Sequence, residues 1–367
     1  MTRFWLGGYS ADMDGSADGI GLLAGDAGRE SSTLGYRGAA AQALSPSWLA
    51  QHPTLDIVYA ALEGSGTVQA FARTGESTLA PLGNPVEAGE AVCHIAVAPG
   101  GRSLIASCFG DGRVVRIGLD AAGVPVVDAA HKAAELRAAL FGEPEQAATA
   151  PVGTGAAASD PYSLESEPRI SHAHAAQFLP DGRIATTDLG FDLVRIWRSA
   201  VEGLVLDHEV VLPRGTGPRH MVMHPSGHLH VVTELSAEVF TLAPGRDGTW
   251  AIVSSTVTSP IVEAGADYPS ELARSRDGET LYTALRGSNT IAALRVKGSG
   301  DTVEPFALTD SGVDWPRHIL VHEGLMLVAG QRSDDITLLD LDERTGTPGA
   351  IRLQAPAPAP THFLPVR

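Results

Sequence analysis

Six stretches of the chain repeat one phrase at a near-constant interval. Each reads as a polar anchor, an apolar strand, a Gly-containing turn, a second apolar strand, a short polar step and a third strand. The anchors are Trp48, His94, His174, His220, Glu271 and His318, separated by 46, 80, 46, 51 and 47 residues. A downstream landmark falls at Glu63, Phe109, Leu189, Leu235, Arg286 and Gln331, with separations of 46, 80, 46, 51 and 45. The two sets keep step, which a chance match would not. A period near 46 built only from strand patterns predicts a β-propeller, in which each blade is a small sheet around a central channel. Equivalent positions of every blade then converge on one axis.

The ends of the chain supply the remaining blade. Thr361-His362-Phe363-Leu364 is a seventh anchor, 44 residues after His318, and Phe4–Tyr9 and Gly19–Leu23 read as strands. N-terminal strands are expected to complete the blade that the C-terminus begins, which removes free sheet edges. The expected fold is an all-β, seven-bladed propeller, a single domain over residues 1–367. Its turns are legible: Pro99-Gly-Gly, Pro180-Asp-Gly, Pro225-Ser-Gly and Arg276-Asp-Gly fill one slot of the repeat, where Gly can take positive φ. Residues 128–170 break the period. The stretch Asp128–Phe141 reads as a helix, rich in Ala, and the Ala-, Pro-, Gly- and Ser-rich remainder as a long loop. The insertion is either a surface excursion or a lid, since it returns directly into Ser171-His172-Ala173-His174.

Composition excludes several classes of function. A formal net charge of −17 argues against a nucleic-acid partner, which needs a cationic face. No window approaches 20 uninterrupted apolar residues, so no membrane span is expected. Met1–Gly7 lacks the apolar core of a signal peptide and reads as a strand, so a cytoplasmic location is expected. Cys93 and Cys108 are then expected as reduced thiols. A Gly-rich phosphate loop, a Gly-x-Ser-x-Gly elbow and a CxxC pair are all missing from the sequence, which leaves nucleophilic Ser or Cys catalysis and a nucleotide cofactor unsupported.

The chain resembles the seven-bladed propeller lactonase family, which includes propeller-type 6-phosphogluconolactonases and fungal carboxy-muconate cycloisomerases. Five phrases carry the resemblance. They are Ser171-His-Ala-His174 with Thr187-Asp-Leu-Gly190; Gly217-Pro-Arg-His220 with His224-Pro225; Val231-Val-Thr-Glu-Leu235; Ala284-Leu-Arg-Gly287; and Trp315-Pro-Arg-His318 with Ala329-Gly-Gln331. The family commonly has Asn before the Glu, the Arg and the Gln of the last three phrases. Thr233, Leu285 and Gly330 stand there instead, while the charged residues are retained.

Carried over by motif, the resemblance implies His174, Glu234, Arg219 and Arg286 as the catalytic group. Lactone hydrolysis needs an activated water, a stabilised carbonyl oxygen and a protonated leaving alkoxide. His and Glu suit the proton steps, and the planar, permanently charged Arg fork suits an oxyanion, carboxylate or phosphate. His172, His220, Arg317, His318, Gln331 and Glu63 are the candidate substrate-binding residues. Each also has a structural reading. Pro-Arg-His occurs in two blades and could tie one blade to the next, and His94, His220, His318 and His362 share a register that could be a structural repeat. His172 and His174 have a spacing that suits a metal, but no acidic cluster accompanies them, so neither metal nor cofactor is implied. The resemblance implies hydrolysis of an anionic, sugar-derived lactone, with 6-phosphogluconolactone first; a monomer is expected as the default for a closed propeller. The alternatives are a carboxy-muconate cycloisomerase and a non-catalytic propeller that binds a protein.

Overall fold

The computed structural model describes residues 2–26, 32–126, 161, 168–200, 203–342 and 344–367. These residues form seven four-stranded antiparallel sheets. The expected helix at Asp128–Phe141, and nearly all of the 128–170 insertion, lie outside the described residues. We number the blades by their innermost strands, which are Pro46–Gln51, Val92–Val97, Ala173–Phe178, Pro218–Met223, Pro269–Arg274, Pro316–His322 and Pro360–Pro365. Within blades one to six the chain runs outward as a simple meander. Blade seven joins the two ends of the chain: Pro360–Pro365 pairs with Thr2–Gly8, followed by Gly19–Gly25 and Gly35–Gln42. Closure is therefore as the sequence predicts.

Burial follows from position in the ring. The second strands Ile57–Leu62 and Ser103–Cys108 are buried at every residue, because a neighbouring blade covers each face. The outer strand Leu79–Glu87 alternates and is largely exposed. Each interface between successive blades holds its own apolar cluster. Between blades one and two, Tyr59, Val68 and Ala70 meet Ile95, Leu104 and Ala106. At the closing blade, Phe4, Leu6, Leu23 and Phe363 meet Leu325, Leu327 and Leu338. Cys93 and Cys108 are free, buried thiols.

Every inner strand carries an irregularity at the same place. Pro46 pairs with Leu62 and Trp48 with Ala61, so Ser47 is extra. Equivalent shifts surround Cys93, Arg219 and Arg317. In blades three and five the shift falls between Ala173 and Ala176 and between Pro269 and Leu272. Such bulges re-aim side chains and increase local twist. Five of these strands are entered through a residue of left-handed φ: Ser45 (41°), Ala91 (50°), Gly217 (63°), Trp315 (58°) and Ala359 (31°). Only one is glycine, so the neighbouring pairing must hold the others in a conformation L-residues seldom take.

The bulge also corrects two alignments made from the sequence. Ala173 pairs with Asp188 as Pro218 pairs with Thr233. His174 therefore takes the bulge place of Arg219 and Arg317, and Ala175 takes the anchor place of His220. Likewise Glu234, rather than Leu235, follows the second strand of its blade and matches Glu63 and Arg286. An extra residue leaves no mark in an apolar–polar pattern, so the alignment slipped by one.

Phe363 is 1 % exposed within the closing blade. Phe363→Ala is expected to cost about 3–5 kcal/mol and to lower the urea midpoint without changing the slope. An unchanged midpoint would show that this contact does not secure closure.

Candidate active site

Three stacked tiers surround the axis. The rim tier consists of the residue that follows each second strand: Tyr9, Glu63, Phe109, Leu189, Glu234, Arg286 and Gln331. The N–H of each donates to the carbonyl of the residue that precedes the inner strand of the same blade, over 2.7–3.2 Å. One repeated bond thus fixes seven side chains around one opening. The bulge tier is Ser47, Cys93, His174, Arg219, Ser270, Arg317 and Thr361. The anchor tier is Trp48, His94, Ala175, His220, Glu271, His318 and His362.

The structure brings three of the four predicted catalytic residues into one contact group. Arg219 Nε lies 2.8 Å and Arg286 Nη2 lies 2.6 Å from the same oxygen of Glu234, Oε2. Backbone carbonyls hold both guanidiniums: Arg219 Nη1 donates to Ser270 O at 2.5 Å, and Arg286 Nε donates to Tyr268 O at 3.0 Å. Trp315 lies under the Arg286 guanidinium at 5.4 Å. Burial raises the Glu234 carboxyl, but Arg286 and Arg219 outweigh it and hold the group below its ordinary range. Glu234 is therefore ionised at neutral pH. Burial lowers Arg286 to about 9, which still leaves it cationic.

His174 sits in the bulge tier, edge-on to Phe109 with centroids 6.1 Å apart. It is buried, and its Nδ1 has no hydrogen-bond partner among the described residues. Burial, then the charge of Arg219, pushes its pKa well below the usual histidine value. It is held as a neutral imidazole. His172 stacks on Phe109 at 4.3 Å, and its Nδ1 lies 2.6 Å from Phe109 O. Its loop is anchored by buried Asp188, which accepts from the His172 N–H and pairs with Arg195 at 2.6 Å.

Arg317, Gln331 and Glu63 form a second group, with a member that sequence reasoning missed. Arg317 Nη2 donates to the Tyr9 hydroxyl at 2.5 Å, and Tyr9 donates to Glu63 Oε2 at 3.0 Å. Arg317 Nη1 donates to Gln331 Oε1 at 3.3 Å. Tyr9 could have been found, because it follows the strand that closes the ring and so stands in the register of Glu63.

His220 and His318 lie in the anchor tier, apart from these two groups. The ring of Trp48 meets His94, His220, His318 and His362 at centroid distances of 4.1–5.6 Å. Glu271 Oε1 is 3.3 Å from His220 Nδ1, and Oε2 is 3.8 Å from His318 Nε2. Burial raises Glu271 to about 8 and lowers His94 and His318 to about 3. This layer is uncharged at neutral pH.

Two outcomes follow. Glu234→Gln leaves the buried Arg219 and Arg286 without their counter-charge, and is expected to cost about 3–5 kcal/mol. Added sulfate should restore much of the lost melting temperature by occupying the vacated place; no sulfate response would show that the guanidiniums do not face an accessible pocket. The second outcome concerns pH. Unfolded histidines bind protons below about 6.5, whereas the buried ones do not, so unfolding takes up protons and stability falls as pH drops below that value. Glu271 acts oppositely, since folded Glu271 keeps its proton up to about 8, but it is one group against several. The melting temperature should fall steeply from pH 6.5 to 5, and less steeply in His220→Gln. Equal slopes for the two proteins would refute the neutral assignment of His220.

The model of the "Lactonase, 7-bladed beta-propeller" family matches residues 3–365. A Lactococcus lactis subsp. cremoris protein is 28 % identical over 308 residues, which is 82 % of each chain. The YwcC protein of Lactococcus lactis subsp. lactis is 31 % identical over 205 residues, 54 % of this chain and 60 % of that relative. Among solved structures, a Lactobacillus plantarum protein superimposes with a TM-score of 0.81 at 22 % identity, covering 100 % of this chain and 99 % of its own. The periplasmic gluconolactonase of Pseudomonas aeruginosa gives 0.79 at 20 % identity, with the same coverage. A Bacteroides uniformis protein provisionally named a 6-phosphogluconolactonase gives 0.80 at 20 %, again over 100 % and 99 %. At these identities the superpositions establish the shared propeller architecture, and the family match places this chain among the seven-bladed β-propeller lactonases.

Proposed function

We propose that the protein hydrolyses a sugar-derived lactone at the rim of its channel. The observation that carries the reading is the caught carboxylate: Glu234 Oε2 between Arg219 and Arg286, with neutral His174 in the tier below. Membership of a lactonase family supports it. In this reading His174 accepts a proton from water, and the resulting hydroxide attacks the lactone carbonyl. The guanidiniums stabilise the oxyanion as charge builds, a contribution that preorganised donors make without reorganising. Arg286 Nη1 is left for that role, since the hydrogen bonds and ion pair of its guanidinium use Nε and Nη2. Glu234 is already ionised by its partners, so its part is to orient and balance the two cations.

An anionic substituent on the substrate would suit the cationic pair, and 6-phosphogluconolactone is the first candidate. A cytoplasmic location would go with that substrate. Among the described residues no helix is long and apolar enough to cross a membrane.

Purified protein should accelerate the opening of 6-phosphogluconolactone or glucono-1,5-lactone above the spontaneous rate. Arg286→Ala should lower kcat/KM by about 10²-fold or more, as loss of one oxyanion donor does elsewhere, while circular dichroism stays unchanged. If Arg286→Ala and Glu234→Ala both retain turnover, this active centre is wrong. Turnover of a carboxylated muconate but of no sugar lactone would move the assignment to cycloisomerisation.

A further inference from the structure

Hydrolysis of a lactone leaves an alkoxide that must gain a proton, either from the His174 imidazolium formed in the first step or from a second group at the rim. Glu234 is ionised, and neutral His174 begins as an acceptor. The second rim group supplies a hydroxyl. Tyr9 Oη accepts from Arg317 Nη2 at 2.5 Å and donates to Glu63 Oε2 at 3.0 Å. The Arg317 guanidinium also lies over the Tyr9 ring, 4.9 Å from its centroid. The residue lines an open cavity of about 490 Å³ together with Gln331, Ser16 and Arg332. The two rim groups are electrostatically joined, since Arg317 helps to lower Glu234 and His174.

Resting on the lactonase reading, we infer that Tyr9 is the general acid that protonates the leaving oxygen of the lactone. Turning its hydroxyl away from Glu63 frees its proton for the leaving oxygen. The acyl carbon–oxygen bond of the tetrahedral intermediate breaks, the carbonyl re-forms, and the Tyr9 O–H bond breaks as the leaving oxygen gains its proton. The resulting phenolate stays against the Arg317 guanidinium, which is cationic in both states. The proton that His174 took from water returns to Tyr9 through solvent, so one water is consumed and one hydroxy acid is formed. Burial holds the Tyr9 hydroxyl above its ordinary value. It is therefore protonated at neutral pH, as a general acid must be at the start of a turnover.

The test uses leaving groups of different basicity. δ-Valerolactone expels an aliphatic alkoxide that needs a proton; dihydrocoumarin expels a phenolate that does not. Both are uncharged, so loss of anion binding does not enter. Tyr9→Phe keeps the ring beneath Arg317, and its melting temperature reports folding. The expected result is a fall in kcat of about 10²-fold on δ-valerolactone, a fall below about threefold on dihydrocoumarin, and little change in KM. Arg317→Met, which removes the cation beside the phenolate, should show the same selectivity and serves if Tyr9→Phe does not fold. Equal losses on both lactones, or no loss on either, overturn the role of Tyr9 while leaving lactone hydrolysis in place. A wild-type protein that opens no lactone at all overturns the parent reading, and the role of Tyr9 with it.

Discussion

The site depends on a bulge repeated at one position of every inner strand. A regular strand would send successive side chains alternately toward and away from the axis. The bulge adds one residue near the mouth and breaks that alternation. Arg219, Arg317 and His174 all occupy the added place. The paired backbone bond beside it fixes the rim residue of the same blade, from Tyr9 in blade seven to Gln331 in blade six. Two adjacent tiers of side chains are thus aimed by backbone pairing, and their spacing is set by a ring that cannot open without separating Pro360–Pro365 from Thr2–Gly8.

Electrostatics sorts the tiers into different tasks. In the rim and bulge tiers, cations and carboxylates touch, and each holds the other charged. In the anchor tier, His94, His220, His318, His362 and Glu271 are buried without a compensating ion of the same strength, and burial drives all of them toward their neutral forms. Trp48 fills the space among the imidazoles. The charged chemistry is therefore confined to one end of the channel. Desolvation neutralises an ionisable group unless a partner of opposite charge is close enough to offset it, and both cases occur within successive residues of one strand, Arg219 and His220.

Much of this was legible in the sequence, for a definite reason. Strand alternation and turn chemistry recur with the repeat, so blade number, closure by the chain ends and the convergence of Glu234, Arg219 and Arg286 could be read from spacing and motif. The single-residue bulge could not, because an extra polar residue between apolar ones resembles ordinary alternation. Spacing alone therefore sets His174 in register with His220 although it belongs with Arg219, and Leu235 in the place of Glu234. Tyr9 escaped for a related reason: its repeat is split between the two ends of the chain. The histidines of the anchor tier looked alike by register, and their common environment against Trp48 bears out the shared position, while separating His220 and His318 from the charged rim.

The central claim is that the rim cations receive an anionic hydroxy acid as it forms. It is tested most directly by a crystal structure with 6-phosphogluconate or gluconate bound. The account predicts the product carboxylate within hydrogen-bond distance of Arg286 and Arg219, beside His174, with the hydroxyl freed by ring opening toward Tyr9. A product held at the opposite mouth, below the Trp48 layer, or nowhere near these guanidiniums, would contradict it.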